Sequence, residues 1–524
     1  MRKALRPNPQ KIQLARGVSI PAPVAGWDAI SSQAAMPEDH AITLKNMFPQ
    51  PGYVEIRGGA KRHRLTNAAN KVDTLLPYQG MTTNTLFAAA GSVIYEATTA
   101  ATATASTAVS GLSNARWQFV NFSGTGGHFL WIANGADVPR SFDGGTWATL
   151  SITGPTASSI IQPAVYKRRI WLCVDGQISP YYLATDAIQG AATVFPLTGV
   201  FEKGGQLQAI GTWNFGSDGP DNFIAFISSR GECAVYSGDD PTATDGSFAL
   251  RGVYPLGEPI GRRCLTKVQG DLAFISIDGV VPLSRAVFTE RAAAQNIALT
   301  KNIQPIMNTS ARAGRTNFGW QLISYPRGTR AILNYPVAEG SGQIQYVMNT
   351  VTGAWCEFDG NPANCWALFN DRLFFGGNNG YVYEADCQGF DDDGPINFDL
   401  ECAFNFCGAR GQLKQWLQAQ PIIATDGQVA PSIGLSVDFD RNDDLSVPTP
   451  IASTQALWDV AVWDVDVWGT TRGMVSDWIG VAGLGYCASL RMKGAVTVGS
   501  GSAARTLLLQ LFGFNLQMVD GGLM

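Results

Sequence analysis

Charge is scarce in this chain of 524 residues: Asp, Glu, Lys and Arg together make up 15%, against roughly 25% in an ordinary soluble domain. A surface so short of charge is simplest to explain if other chains cover much of it. Histidine is nearly absent, with only His40, His63 and His128, and none lies near a cysteine cluster. That excludes the usual zinc ligand spacings, and no cofactor or metal site is expected. The nine cysteines form no Cys-x-x-Cys pair; Cys402 and Cys407 lie five apart, and Cys356 and Cys365 nine apart. An odd total, with Cys173, Cys233 and Cys487 inside apolar segments, points to reduced, buried thiols and folding in a cytoplasm. No run of 18 apolar residues occurs, so no membrane span is expected. The opening Met1-Arg2-Lys3 is basic but leads into no apolar core, unlike a signal peptide. Neither a Gly-x-x-x-x-Gly-Lys-Ser/Thr loop nor a Gly-x-Ser-x-Gly elbow is present. A net charge of -5 argues against a protein that coats nucleic acid.

What the chain does have is β-structure and turns. Hydrophobic residues are 45% and aromatic residues 10%, with 58 Gly and 27 Pro, the composition of a folded all-β protein. Leu373-Phe374-Phe375, Asn378-Asn379-Gly380 and Tyr381-Val382-Tyr383 read as strand, tight turn and returning strand. Nearly the same words occur at Leu86-Phe87, Gly91-Ser92 and Val93-Ile94-Tyr95. Looser copies turn at Asn134-Gly135, Asp175-Gly176, Arg230-Gly231 and Asp278-Gly279, and a less regular pair turns around Gly340 and Gly342. The spacing of the turns is roughly 40 to 60 residues, the period of a four-stranded propeller blade.

These patterns predict three segments. Residues 1–60 form an extended arm, with a helical turn near Pro37–Ala41 and a strand Tyr53–Arg57 that closes the last blade. Residues 61–395 form a β-propeller of six or seven blades. Residues 396–524 form an antiparallel β-sandwich-like domain, because Ile396, Phe398, Leu400, Cys402, Phe404 and Phe406 alternate with mostly polar residues. Ile433–Phe439 and Tyr486–Met492 do the same, and Leu507–Phe514 suits a buried strand. The Ala/Thr/Ser tract Ala97–Ser110 reads as a surface loop or a contact between subunits, and Ala292–Asn302 as the best helical stretch inside the propeller.

Several motifs invite chemistry and have plainer readings. Ser141–Trp147 comes within one residue of the Asp-box of sialidase-like propellers, itself a structural hairpin; a sialidase also needs three arginines, a tyrosine and acids on the axis. Asp438–Asp444 lacks the glycine and the terminal glutamate of a calcium loop, and like Asp391–Asp393 reads as a solvated turn. Val498–Ala504 is too near the end of the chain for a dinucleotide fold. Lys61–Arg64, Lys167–Arg169 and Arg262-Arg263 are basic rims of strands or phosphate contacts. Trp458, Trp463, Trp468 and Trp478 pack in a core or a subunit contact more readily than they stack sugars or bases. No catalytic residue is nominated, and the protein is expected not to be an enzyme.

The most specific stretch is the arm. Pro23–Ala29 (with Gly26-Trp27-Asp28), Met36-Pro37, Ala41–Pro49 and Gly52–Gly59 resemble the opening of tail nozzle, or tail hub, proteins of short-tailed bacteriophages, whose pattern ends in an Arg-x-Gly like Arg57-Gly58-Gly59. Asp278-Gly279-Val280, Asp438-Phe439-Asp440 with Pro448, Leu457-Trp458-Asp459 and Trp468-Gly469 extend the resemblance across most of the chain. It implies a structural virion protein assembled in the bacterial host cytoplasm: a homohexameric ring that docks on the tail adaptor, meets a tail needle, tip or fibres below, and passes double-stranded DNA without sequence-specific binding. Two other classes compete, a virion propeller that binds or degrades glycans, and a monomeric platform that binds peptides on a propeller face.

Overall fold

The computed structural model describes residues 15–214, 222–243, 246–392, 394–408, 410–426, 429–441, 443–449, 473–496 and 508–521. The described residues divide into two compact units, one made of Arg57–Ile396 and the other of those before Arg57 together with those from Asn397 onward.

The Arg57–Ile396 unit is a seven-bladed β-propeller. All seven glycines that mark the recurring turn, Gly91, Gly135, Gly176, Gly231, Gly279, Gly340 and Gly380, have positive φ. Each joins the second strand of a small antiparallel sheet to the third, so one hairpin in sequence is one blade in space. The innermost strands, one per blade in chain order, are Val72–Gln79, Gln118–Gly124, Ile160–Tyr166, Leu207–Trp213, Leu265–Val268, Gln321–Tyr325 and Ala363–Phe369. Each packs on the next, and the seventh packs on the first, which closes the circle. Cores lie between consecutive blades: Phe87, Trp117 and Leu130 between the first two, Trp131, Ile170 and Leu172 between the next.

The strand that closes the ring differs from the expected one. Gly59–Leu65, not Tyr53–Arg57, pairs antiparallel with Tyr381–Gln388 and completes the seventh blade. Tyr53–Ile56 instead pairs with Leu509–Asp520 and with Met47–Gln50 in the other unit. The two segments are adjacent and both alternate, so periodicity alone cannot divide them. The tract Ala97–Ser110 is not a loop: Ser106–Val109 is the outer strand of the first blade, and Ala101–Thr104 runs parallel to Gly59–Leu65. Outer strands need backbone pairing more than large side chains, and threonine suits them.

Among the described residues the α-helices follow the fifth blade: the expected stretch Ala292–Asn302 is helical only in short pieces, Arg291–Ala293, Ala294–Ile297 and Lys301–Ile303, and the longest helix, Gln304–Gly314, comes after it. Pro305 fits its first turn. Its buried positions Gln304, Met307, Ser310, Ala311 and Gly314 include one large apolar residue, so no apolar stripe announced it. Pro37–Ala41 forms a turn that leads into the strand His40–Lys45, without a helix.

The second unit is an antiparallel β-sandwich built from both ends of the chain. One sheet places Lys414–Thr425 beside Leu509–Asp520, with Ile479–Gly485 and Gly473–Val475 outside the former, and Arg16–Pro21 and Tyr53–Ile56 outside the latter. The other sheet runs from Gly26–Trp27 and His40–Lys45 through Ile396–Cys402 and Ala488–Val496 to Ser432–Val437. Phe398, Leu400, Leu490, Met492, Leu511, Phe514 and Leu516 fill the interior. The expected arm is therefore woven into the sandwich, and the propeller is an insertion between its strands. Trp458, Trp463, Trp468 and Val498–Ala504 lie outside the described residues, while Trp478 is exposed.

Candidate functional site

The axis of the propeller is polar. Side chains on five of the innermost strands staple their blade to the next. Thr74 donates to Ala115 O at 2.7 Å; Gln162 accepts from Ile210 N at 3.0 Å; Gln208 donates to Gly261 O at 3.1 Å. Thr266 donates to Leu322 O at 2.7 Å, and Gln321 both donates to Trp366 O and accepts from Trp366 N, at 2.9 and 3.0 Å. Paired amides of this kind satisfy backbone groups that the sheets leave free at the centre. Gln118 opens the innermost strand of the second blade, and its buried Nε2 has no hydrogen-bond partner.

Gln118 borders an axial cavity of about 370 Å³, entered beside the segments that lead into the second, fifth and sixth innermost strands, and a second cavity of about 180 Å³ along the axis. Four arginines line the larger cavity, Arg116, Arg262, Arg263 and Arg315, and no carboxylate does. Their counter-charges sit away from the lining: Arg116 pairs with Glu339, Arg262 with Asp175 at 3.5 Å, and Arg315 with Glu258 at 3.3 Å.

Arg263 is different. Its Nη2 donates to Asp73 O (3.0 Å), Thr74 Oγ1 (2.7 Å) and Trp117 O (3.4 Å), all uncharged, and its Nη1 is buried without a partner. Burial lowers its pKa. The ring of Phe318 carries both Arg263 and Arg116, at 4.8 and 4.5 Å from the ring centroid, which ties the two guanidinium groups to one aromatic side chain. Asp73 lies behind them, and burial pushes its carboxyl above the ordinary value, against the pull of Lys71, Arg116 and Arg263.

Of the basic runs read from the sequence, only Arg262-Arg263 reaches this site. Lys61 pairs with Glu384 at 3.3 Å and Arg62 with Asp392 at 2.7 Å, while His63 is buried against Ala97 O at 3.0 Å. Lys167, Arg168 and Arg169 pair with Asp239, Asp186 and Asp240. Arg116, Arg315 and Gln118 escaped sequence reasoning; their shared signal is position, within or just before the start of an innermost strand.

The other motifs are structural. Asp143 accepts from the backbone N–H of Gly145 and Thr146 at 2.8 and 2.7 Å, which holds its carboxyl below the ordinary range. Trp147 packs on Phe142 and Phe87. Asp438 accepts from Tyr486 N and Cys487 N at 2.7 and 3.0 Å, and Arg441 neutralises the buried Glu401, so this turn is bolted to the sandwich, not solvated. Asp391 likewise pairs with buried Arg57. The larger cavity holds arginines but neither tyrosine nor acid, so the set a sialidase needs is not assembled among its described lining residues. All nine cysteines are free, eight of them buried. Among the described residues no cluster fits a metal ion, and no helix is long and apolar enough to cross a membrane.

No protein-family model matches the chain, and no curated protein matches it. Among solved structures, one described as YCF48 bound to D1 peptide is similar at 14% identity and a TM-score of 0.38, covering 67% of this chain and 99% of that one. The computationally designed Ika8 protein is similar at 12% identity and a TM-score of 0.35, covering 68% of this chain and 98% of that one.

Proposed function

We propose that this chain is a structural virion protein, the nozzle subunit of a short-tailed bacteriophage tail, which forms a homohexameric ring on the tail adaptor and conducts genomic DNA. The observation that carries the reading is an uncharged stretch on one face of a sheet. Across the larger sheet of the sandwich, register aligns Val519, Gln415 and Leu484 in one row, Gly17, Gln517, Gln418 and Gly480 in the next, and Ser19, Asn515 and Gln420 in a third. All ten are exposed or half-exposed and none is ionisable. A sheet face that stays in water ordinarily alternates toward charged residues; an uncharged amide and aliphatic face suits burial against a sister subunit. The resemblance of the arm to nozzle proteins supplies the identity of the assembly.

DNA would pass through the lumen of the ring and not through a propeller. Axial cavities of about 370 and 180 Å³ leave no room for a duplex whose major groove alone is about 12 Å wide. A chain of net charge -5 in which Lys61, Arg62 and Lys167–Arg169 are engaged by its own carboxylates would let phosphates slide without gripping them. The test is imaging of purified virions with a tagged copy of this chain: six copies at the distal tail are expected, and label on the capsid or on lateral fibres would overturn the reading.

A further inference from the structure

We propose that the arginine-lined axial cavity of the propeller binds an acidic sugar, taking the carboxylate at Arg262, Arg263 and Arg315 and the hydroxyl groups at the neighbouring amides. Charge bookkeeping at the cavity points to a single negative charge. Arg262 and Arg315 each have their own carboxylate, but Lys71, Arg116 and Arg263 have only Glu339 and Asp73 among them, and Arg263 itself donates only to neutral oxygens. A buried guanidinium with an unfilled donor is costly unless an anion completes it. Gln118 supplies the second, independent sign. Five other innermost strands use Thr or Gln to staple the next blade, but Gln118 keeps its amide nitrogen unpaired beside the arginines. A buried donor left unpaired at the wall of a cavity is free to serve something other than the fold.

The size and remaining lining indicate a hydroxylated body rather than a bare ion. A volume of about 370 Å³ falls in the range of small-molecule pockets, roughly 300–1,000 Å³. Asn134 is spent inside its own turn, but Asn114 keeps its Nδ2 and Asn317 its Oδ1 after their bonds to the fold; with Gln118 Nε2 they add both donors and an acceptor to the lining, which suits hydroxyl groups better than inorganic phosphate. The Phe318 clamp holds Arg116 and Arg263 in place before any ligand arrives, so little ordering entropy is lost on binding.

The experiment is calorimetric titration of the full chain with glucuronate, glucose and inorganic phosphate. Glucuronate is expected to bind saturably, with glucose and phosphate each weaker by about tenfold or more. Arg262→Gln and Arg315→Gln should each weaken glucuronate by about tenfold; the Arg315 side chain is 57% exposed, so its loss leaves the fold intact. Arg168→Gln, on a hairpin of the third blade where it pairs with Asp186, should bind as the parent does. The proposal is overturned if glucose or phosphate matches glucuronate, if no saturable binding appears by about 20 mM, if Arg262→Gln and Arg315→Gln bind unchanged, or if Arg168→Gln weakens binding equally. None of these outcomes bears on the assembly of a tail ring, which is read from a different unit of the chain.

Discussion

At the scale of single residues, the turn glycines are not equivalent even though all have positive φ. A Cβ at Gly380 would lie 2.0 Å from Asn67 O, whereas one at Gly176 meets nothing within 4 Å. Gly176→Ala therefore pays only for its backbone conformation, about 1 kcal/mol, and Gly380→Ala should lose at least about twice that. Urea denaturation of both variants checks the difference; equal losses would mean that the close approach to Asn67 relaxes freely. Asp143 gives a pH-dependent test. Its carboxyl is depressed by the N–H groups of Thr146 and Gly145, so its contribution is fully present above the unfolded value, about pH 4, and is lost as pH falls through the lower folded value. Asp143→Ala should have a lower urea midpoint than the parent at pH 7, and the gap should close as the solution is acidified past that window. A gap that persists at pH 2 would assign the effect to something other than the ionised carboxylate.

At the scale of elements, the informative piece is the closing strand Gly59–Leu65. Arg57 anchors it: its guanidinium donates to Gly58 O at 3.1 Å, Asp391 Oδ1 at 2.9 Å and Asp359 O at 2.6 Å, with its side chain almost wholly buried. Arg57→Met strands the Asp391 carboxylate and should cost about 3–5 kcal/mol, read as a lower thermal midpoint. Lys61→Ala removes a bridge from a lysine side chain that is 45% exposed, and should cost no more than about 1 kcal/mol. A reversed order would show that the ladder to Tyr381–Gln388 closes the ring without its anchor. The Arg57-Gly58-Gly59 triplet thus carries mechanical meaning: an ion pair, then a backbone so tight that a Cβ on Gly59 would sit 1.9 Å from Phe390 O.

At the scale of the whole molecule, two devices meet in one chain: a propeller without free inner edges and a sandwich assembled from both chain ends. A charge introduced on the neutral sheet face tests whether that face is made to be covered. Gln418→Lys, on an exposed strand position, should leave the thermal midpoint nearly unchanged, within the roughly 0.5 kcal/mol typical of surface changes. Under the assembly proposed above it should also reduce the mass measured by light scattering from that of a ring of 56.0 kDa chains toward a single copy. A ring that tolerates the lysine would place the subunit contacts elsewhere.

The seven hairpins were legible because everything that makes them is local: a period-two run, a turn residue that accepts positive φ, and a second run a few residues on. The alternation through Ile396–Cys402 and Ala488–Val496 marked the sandwich for the same reason. What only the folded chain decided are the pairings between distant segments. Gly59–Leu65 joins Tyr381–Gln388 across more than 300 residues, and nothing in either strand's own pattern names its partner. Arg116, Arg262, Arg263 and Arg315 come from three separate approaches to the axis, and each reads alone as an ordinary surface arginine. Circular closure brings them to one cavity, because seven strands that share an axis place their leading residues together however far apart they stand in the chain.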